Sequence, residues 1–253
     1  MTSYQSPAKM KNAEFRFYEE LNDFLPADKR KVLFSWNFTG NPSVKFAIEA
    51  MGVPHVEVDL ILVNGRSVDF TYNMQDGDSV SVYPVFESLD ISPVKRLRKK
   101  PLRDPKFITD AHLGKLTKYL RLCGFDTAFG NSLTDSEIIE IAGKEKRTIL
   151  TRDKDLLKNR RVTRGYWVRE QFPREQIREI IHRFDLRKQI RAFTRCMECN
   201  HLIIKVSKEN VQSLLLPKTL EFYQDFWKCD GCGRLYWQGS HWENMTEFIK
   251  NIM

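Results

Sequence analysis

The sequence has no long apolar run, no apolar segment near its first residue and few cysteines. A membrane-spanning helix needs roughly 20 consecutive apolar residues, and no stretch of the 253 residues approaches that length. Residues 1–13 are polar and lack the apolar core of a secretory signal. We therefore expect a cytoplasmic protein without membrane contact, in which the five cysteines stay reduced.

The balance of apolar and charged residues is that of a folded protein. Apolar residues make up 42% of the chain and charged residues 29%, which excludes a disordered protein. A chain of this length suits two or three compact domains.

The net charge of +8 is concentrated in the middle of the chain. Residues 1–93 carry 8 basic and 13 acidic side chains, residues 94–192 carry 26 and 13, and residues 193–253 carry 7 and 7. The stretch Lys95–Arg103 has six basic residues in nine and no acid. This segregation indicates a polyanionic partner for the middle segment, with a solvated basic face or linker as the alternative.

The first third of the chain has the pattern of a small α+β domain. The sequence VEVDLILVNGRSVDF predicts two strands joined by a tight turn at the Asn-Gly pair 64–65. The sequence QDGDSVSVYP adds a turn and a further strand. SVKFAIEAMGV predicts a helix, and the residues expected on its apolar side are Val44, Phe46, Ala47 and Met51.

This order of elements, with VNGRSVDF and DGDSVSVYP, resembles the ubiquitin-like β-grasp fold of the small sulfur-carrier proteins. Those carriers end in a Gly-Gly pair whose carboxylate is activated. This chain instead continues through YPVFESLDISPVKR without a Gly-Gly pair. The resemblance therefore implies a docking or scaffolding domain with a protein partner rather than a sulfur carrier.

The middle of the chain alternates short apolar strands with amphipathic helices. Strands are predicted at KFIT, DTAF, RTILT and GYWV, and helices at AHLGKLTKYLRLC, LTDSEIIEIAGKEK and PREQIREIIHRF. Thr134 and Glu137 predict a capping box at the start of the second helix. The first helix has an apolar stripe formed by Leu113, Leu116, Leu120 and Cys123. The alternation indicates a parallel sheet covered by helices on both faces.

Acidic residues follow two of these strands or open a helix. Asp110 comes directly after KFIT and Asp153 follows RTILT, so we expect both at the sheet edge where open α/β folds bind ligands. Asp135 begins a helix and Asp155 lies two residues beyond Asp153; helix stabilisation and solvent exposure are the respective alternatives. Converging carboxylates repel each other unless a cation separates them, and Mg²⁺ or Mn²⁺ suits oxygen ligands.

These blocks resemble the ribonuclease domain named after the C-terminal part of the Mut-seven exonuclease, a family of PIN-like nucleases. The likeness covers roughly residues 106–186, from FITDAHLGKLTKYLRLCGFDT through LTDSEIIEIAGKEKRTILTRDKDLL, and continues into the cysteine pairs and YWQGSH. A ubiquitin-like front domain accompanies this family. Matched by position, the resemblance implies an acidic site at Asp110, Asp135 and Asp153, with Asp155 and Arg152 beside it.

The activity that the resemblance implies is metal-dependent hydrolysis of RNA phosphodiester bonds, with Mg²⁺ or Mn²⁺ held by the acids. Basic side chains near the acids are suited to hold the RNA backbone. The candidates for this role are Lys115, Lys118, Arg121 and Arg152. The alternative for the lysines is an exposed helix face without a partner.

Four of the five cysteines form two Cys-x-x-Cys pairs near the end of the chain. They are Cys196, Cys199, Cys229 and Cys232, with 29 residues between the pairs. This pattern predicts a structural Zn²⁺ site in which all four tetrahedral positions are filled, leaving none open for catalysis. The fifth, Cys123, lies on the apolar helix stripe and is predicted to be a buried thiol.

Aromatic and histidine residues accompany the cysteine pairs. Tyr236, Trp237 and Trp242 either pack the ribbon or stack on RNA bases, and packing is the favoured interpretation. His201 and His241 are surplus to a four-cysteine site and are expected at the surface or facing RNA.

The predicted architecture is of the α/β class with three folded parts. They are a ubiquitin-like β-grasp domain at 12–89, a PIN-like α/β domain with a parallel sheet at 105–190 and a zinc ribbon at 191–253, with a basic linker at 90–104. The leading hypothesis is a metal-dependent ribonuclease. The alternatives are a non-catalytic RNA-binding or ribosome-associated adaptor, whose acids are too dispersed to hold metal, and a protein-interaction module acting through the β-grasp domain.

Overall fold

The structure, a computed structural model, describes residues 9–84 and 105–252 of the chain. The predicted basic linker at 90–104 lies outside the described residues. Within the described ranges, no helix combines the length and the apolar character needed to cross a membrane.

The described residues form two compact units. The first consists of residues 9–84 together with 153–166, and the second of residues 105–152 together with 167–252. Residues 153–166 lie inside the predicted nuclease domain at 105–190 but belong to the same unit as the N-terminal domain. The predicted domain boundaries stay a prediction.

The N-terminal part of the first unit is a β-grasp-like sheet with one α-helix. Its elements are β1 (Lys11–Phe17), β2 (Phe34–Phe38), α1 (Val44–Ala50), β3 (Val58–Val63), β4 (Arg66–Val68) and β5 (Ser79–Pro84), with 3₁₀ helices at Glu19–Phe24, Ala27–Lys29 and His55–Glu57. The strand order is β2-β1-β5-β3-β4. β1 and β5 run parallel, and the other pairs are antiparallel.

The tight turn between β3 and β4 is confirmed. Val63 pairs with Arg66 across a two-residue loop, and its residues Asn64 and Gly65 have φ values of 51° and 77°. Both angles lie in the left-handed region that a type I′ hairpin turn requires and that Asn and Gly tolerate best.

Helix α1 is present, but one predicted core residue is wrong. Ser43 caps the helix by accepting the N–H of Phe46 at 3.2 Å. The helix buries Val44, Ala47 and Ile48, whereas the Phe46 side chain is 59% exposed. Position 46 lies a half-turn from the core side of a helix of only seven residues, so its apolar character does not decide its placement.

Residues 153–166 pack with the N-terminal domain inside the first unit. They contain α4 (Lys154–Lys158), which the sequence analysis did not predict. The Lys154 ammonium donates to the Asp23 carbonyl at 3.0 Å and lies 5.0 Å from the Phe24 ring centroid. The imidazole Nε2 of His55 lies 2.9 Å from the Val162 carbonyl oxygen. A buried histidine and an amphipathic lysine thus hold this segment in place.

The second unit contains the predicted α/β sheet. Its elements are β6 (Lys106–Thr109), α2 (Gly114–Leu122), β7 (Asp126–Phe129), α3 (Asp135–Glu145), β8 (Thr148–Thr151), β9 (Gly165–Trp167) and α5 (Pro173–Arg183), with 3₁₀ helices at Ala111–Leu113 and Arg187–Gln189; β9 begins in the first unit. The strand order is β7-β6-β8-β9, and β6 runs parallel to both β7 and β8.

Apolar strand residues explain why this sheet is central to its unit. Phe107, Ile108, Ile149 and Leu150 are almost fully buried, as expected for parallel strands covered on both faces. The predicted helical stripe and the buried Cys123 are confirmed, because all four stripe residues are at most 1% exposed. Burial raises the pKa of the Cys123 thiol to about 12, so this cysteine is a packing residue.

The C-terminal part of the second unit is a small antiparallel ribbon followed by a helix. Its elements are β10 (Ile203–Val206), α6 (Pro217–Phe222), β11 (Phe226–Cys229), β12 (Leu235–Trp237) and α7 (Ser240–Ile252), with a 3₁₀ helix at Gln212–Leu214. The strands pair in the order β10-β11-β12. Helix α7 was not predicted; it packs against α5.

Candidate functional site

Asp110 lies directly after β6, at the carboxyl end of the strand, as predicted. The residue is 8% exposed. Its Oδ1 accepts the His112 N–H at 2.9 Å, and its Oδ2 accepts the hydroxyl of Thr151. Across residues 9–84 and 105–252, Asp110 has no ion pair with lysine or arginine. Asp110 is thus the N-cap of the 3₁₀ helix Ala111–Leu113, and both of its oxygens are held by neutral donors.

The partner Thr151 is a site residue that the sequence analysis missed. β6 and β8 are parallel neighbours, and Thr109 pairs with Leu150. The next residues along each strand, Asp110 and Thr151, therefore lie side by side. A hydroxyl residue ending the strand next to an acid-bearing strand is the signal that identifies such a partner.

The other three predicted acids are solvent-exposed and lie at helix starts. Asp135 is the first residue of α3, behind the predicted capping box of Thr134, which is confirmed. Asp153 caps α4 by accepting the Asp155 N–H at 2.8 Å. Asp155 forms an ion pair with Lys158 at 2.9 Å, and this hydrogen bond and charge lower the pKa of its carboxyl.

The structure brings the four cysteines together but does not gather the acids as a set. Among the described residues, the cysteines are the one group of three or more His, Cys, Asp or Glu side chains whose ligand atoms all lie within 4.8 Å of one another. Asp110 and Asp135 belong to the second compact unit and Asp153 to the first. The catalytic assignment of Asp110, Asp135, Asp153 and Asp155 therefore stays a prediction.

Two of the four predicted RNA-contacting residues donate hydrogen bonds to backbone carbonyls, and their assignment to RNA stays a prediction. Arg121 is only 4% exposed; its Nε donates to the Thr127 carbonyl at 2.9 Å, and its Nη1 donates to the Met197 and Glu198 carbonyls at 3.0 and 2.7 Å. A buried guanidinium with three carbonyl partners fastens the first cysteine pair to the end of α2 and the start of β7. The contacts with Met197 and Glu198 could not be read from the helix pattern, because these residues lie 76 and 77 positions further along the chain.

The Arg152 side chain also donates hydrogen bonds to backbone carbonyls. Its Nη1 donates to the carbonyls of Val168, Arg169 and Glu170, at 3.4 and 3.1 Å for the first two. The side chain thereby ties the end of β8 to the chain after β9. The remaining two candidates, Lys115 and Lys118, are exposed on α2, and Lys118 pairs with Glu198 at 2.8 Å.

The four cysteine sulfurs have the spacing of a tetrahedral metal site. The Sγ atoms of Cys196 and Cys232 are 3.7 Å apart and those of Cys199 and Cys229 are 3.3 Å apart. Zn–S bonds of about 2.3 Å place sulfurs about 3.8 Å apart in a tetrahedron, so the donor set fits Zn²⁺. Burial opposes ionisation of Cys199, but the His201 N–H and neighbouring thiols lower its pKa to about 6.

The two cysteine pairs are turns of the same form. The residue after each pair, Asn200 or Gly233, has a left-handed φ of 72° or 74°. The Asn200 N–H donates to the Cys196 carbonyl at 2.9 Å, and the Gly233 N–H donates to the Cys229 carbonyl at 3.1 Å. Asn and Gly are the residues that tolerate this conformation best, so the sequence itself contained this signal.

The ribbon aromatics have different roles. The Tyr236 hydroxyl donates to the Cys196 sulfur at 3.0 Å, and Trp242 stacks on Phe193 with ring centroids 5.3 Å apart. Both residues therefore pack the ribbon, as favoured. Trp237 is 36% exposed, and its assignment to packing stays a prediction. His201 and His241 are exposed, as expected.

A second network that the sequence analysis missed centres on Asp126 at the start of β7. Its carboxylate pairs with Arg147 at 2.7 Å and accepts the Asn200 side-chain amide at 2.8 Å. The carbonyl oxygen of that amide accepts the Thr127 N–H at 3.0 Å. Burial raises the pKa of Asp126, but these partners and Arg195 more than offset it, so the pKa is lowered. The network joins the first cysteine turn to the sheet.

Comparison with known proteins gives two family matches along the chain. The family model described as the Mut7-C RNAse domain matches residues 105–249, and the model described as Mut7-C ubiquitin matches residues 10–90. No curated protein and no solved structure matches the chain. The first match covers more than half of the 253 residues, and the two matches follow each other in the order of the β-grasp sheet and the parallel sheet. The chain therefore belongs to the Mut7-C RNAse domain family.

Proposed function

We propose that this protein is a divalent-metal-dependent ribonuclease that hydrolyses RNA phosphodiester bonds on a PIN-like domain. The observation that carries the proposal is the buried Asp110 carboxylate, which has no cationic partner in the described part of the chain. The family match indicates a nuclease in general, and the dependence on Mg²⁺ or Mn²⁺ is part of the proposal.

Asp110 is the anchoring acid in this proposal. The His112 N–H and the Thr151 hydroxyl fix its two oxygens, and each oxygen keeps a second lone pair for a ligand. Donors of this kind orient a metal-binding carboxylate. Thr151 is therefore a positioning residue for Asp110.

Asp135 and Asp153 are the exposed acids that complete the proposed set, while Asp155 is the least suited because Lys158 already neutralises it. Carboxylates approach one another only when a cation offsets their repulsion. When bound, Mg²⁺ or Mn²⁺ supplies activation of the water nucleophile and charge compensation for the phosphate. This chain provides the acids and the basic field that attracts the RNA.

The zinc ribbon has a structural role in the proposal. Four sulfurs complete a tetrahedral shell, so no position remains for substrate. A short segment with few buried apolar residues needs such a cross-link to fold. Reduced thiols are a condition for this site, and we keep a cytoplasmic location as part of the proposal for that reason.

The test is RNA cleavage by the full chain in Mn²⁺ or Mg²⁺ beside Asp110→Asn. We expect wild-type cleavage and a loss of at least a hundredfold in the variant, because the amide cannot neutralise a cation. Circular dichroism and zinc content establish that the variant is folded. Lys144→Ala, an exposed lysine on α3, is the matched control. Equal cleavage by wild type and Asp110→Asn would overturn the proposal.

The alternative is a non-catalytic RNA-binding or ribosome-associated adaptor. The observation that favours it is the absence, among described residues, of a carboxylate trio within 4.8 Å. An adaptor binds RNA equally well with and without Asp110 and shows no Mn²⁺-dependent cleavage. The same experiment therefore separates the two functions.

A protein partner for the ubiquitin-like domain is a further part of the proposal. Val32, Leu33 and Phe46 are 44%, 51% and 59% exposed, which makes each of them a candidate contact for such a partner. Capture from a lysate by the full chain should recover a partner that Phe46→Glu loses. Identical recovery with the variant would remove Phe46 from the interaction.

A further inference from the structure

A cleft in the second compact unit lies beside helix α2. Its volume is about 710 Å³, within the range of sites that hold molecules of nucleotide size. One wall is the exposed face of α2 with Lys115 and Lys118. Met197 and Glu198, the two residues between the first pair of cysteines, also line it. The zinc-binding turn is thus a wall of the cleft as well as a structural element.

The charge of the cleft is predominantly positive. Lys115 and Lys118 line it, and Glu198 is the one acidic side chain among its lining residues. Lys115 has no ion pair among residues 9–84 and 105–252. Lys118 and Glu198 are 2.8 Å apart, with 51% and 40% of their side chains exposed, so a polyanion can replace Glu198 as the partner of Lys118 at little cost.

The polar groups of the cleft suit bases as well as phosphates. The amides of Asn131 and Gln171 line it together with the ring of Phe129; the Gln176 amide also lines it but donates to the carbonyls of Glu170 and Gln171. Side-chain amides donate and accept hydrogen bonds, which matches the edges of unpaired bases. A site that bound only phosphate would not need amide and aromatic side chains in addition to its lysines.

An exposed aromatic residue lies between two cleft-lining residues along the chain. Phe172 is 70% exposed and lies between Gln171 and Pro173, both of which line the cleft. A phenylalanine so exposed gains nothing from burial, whereas aromatic side chains beside a basic groove serve as stacking platforms for unpaired bases.

We propose that this cleft binds single-stranded RNA, with Lys115 and Lys118 on consecutive phosphates and Phe172 stacked on a base. The inference rests on the proposed ribonuclease function and specifies its substrate as an unpaired strand. It also gives the first cysteine turn a second role, since Glu198 regulates the charge that the RNA meets. Duplex RNA is excluded because its bases are not available for stacking.

The test measures binding separately from cleavage. Full-length Asp110→Asn protein with its zinc is titrated into a fluorescein-labelled 12-nucleotide single-stranded RNA without added Mg²⁺ or Mn²⁺, over a series of salt concentrations. Adding Lys115→Ala and Lys118→Ala should weaken binding at least tenfold. The slope of log affinity against log salt should fall by about 1.4, since each phosphate contact on a single strand contributes about 0.7.

Two further variants act in predictable and different ways. Glu198→Gln should tighten binding several-fold, because it frees Lys118 and removes a negative charge. Phe172→Ala should weaken binding on the order of tenfold with the salt slope unchanged, as expected for lost stacking. Zinc content is measured for Glu198→Gln to establish that the cysteine site is intact.

The matched control is the pair Lys144→Ala and Lys250→Ala, two exposed lysines on α3 and α7 that do not line the cleft. An equal loss of binding in this control, no loss in the cleft variants, or equal affinity for duplex RNA would overturn the proposal. RNA binding with the expected variant pattern but without Mn²⁺-dependent cleavage by the wild type would leave the cleft standing and remove the ribonuclease function.

Discussion

The cysteine cluster and the acidic residues differ in how their ligand atoms are brought together. Each cysteine pair is one local turn, closed by its own backbone hydrogen bonds, and the pairs meet because β10 and β11 are antiparallel neighbours. The predicted acids come from three separated positions and two compact units. A site built from local turns is arranged by its own sequence, whereas a dispersed site depends on tertiary packing and on a bound cation.

Two acids of the second unit show the same contrast on a smaller scale. Asp126 is held by Arg147, Asn200 and Arg195 and therefore acts in stability. Asp110 is more buried and is held by neutral donors. An acid with a cationic partner is explained by structure, and one without such a partner points to a ligand.

The largest effect is expected from breaking the cysteine cluster. Cys199→Ser should abolish zinc binding and unfold the ribbon, because structural zinc contributes on the order of 10 kcal/mol to such folds. Metal analysis and limited proteolysis of the C-terminal region measure both losses. Cys123→Ala, which alters a cysteine outside the cluster, should keep its zinc. A zinc-free ribbon that resists protease as well as wild type would contradict the structural role.

The next largest effect is expected when the stabilities of the Asp126→Asn and Asp110→Asn variants are compared. Asp126→Asn should lower the free energy of unfolding by roughly 2 kcal/mol, because it removes the less exposed of the two carboxylates that pair with the buried Arg147 and leaves only Glu145. Asp110→Asn should change it by less than about 1 kcal/mol, because no ion pair is lost. Urea unfolding of both variants provides the measurement. Equal destabilisation would show that the two acids do not differ in role.

A smaller effect is expected from the locally encoded cap of α3. Thr134 accepts the Glu137 N–H, and Thr134→Ala should cost about 1 kcal/mol. Ser132→Ala, in the exposed loop just before the helix, is the control. Thermal unfolding followed by circular dichroism measures both, and a stable Thr134→Ala protein would mean that tertiary contacts alone hold this helix.

The smallest effect is the pH dependence of the Asp126 network. Its pKa is lowered on folding, so its contribution to stability is complete above the unfolded value of about 3.9 and is lost as the pH falls through the folded pKa. The unfolding free energy of wild type should therefore decline below about pH 4 more steeply than that of Asp126→Asn. Parallel curves for the two proteins would assign the decline to other carboxylates.

Prediction from sequence worked best where the signal was local. The Asn-Gly turn, the capping box and the cysteine pairs each occupy a few consecutive residues, and backbone geometry restricts which residues fit there. Sequence reasoning could not find contacts between distant segments, such as those of Arg121 with the Met197 and Glu198 carbonyls, which depend on how the cysteine turn docks. Phe46 is a related case, since apolar character in a short helix does not fix burial.

The sequence by itself determined the alternation of strands and helices in the parallel-sheet domain, the pairing of four cysteines in two Cys-x-x-Cys turns and the basic character of the middle segment. These follow from periodicity, turn chemistry and composition, which are properties of neighbouring residues. Only the tertiary structure decided that Thr151 lies beside Asp110, that Arg121 is buried and that a cysteine turn walls a basic cleft. These three features depend on which strands and turns become neighbours, and that pairing is decided by the packing of the whole unit.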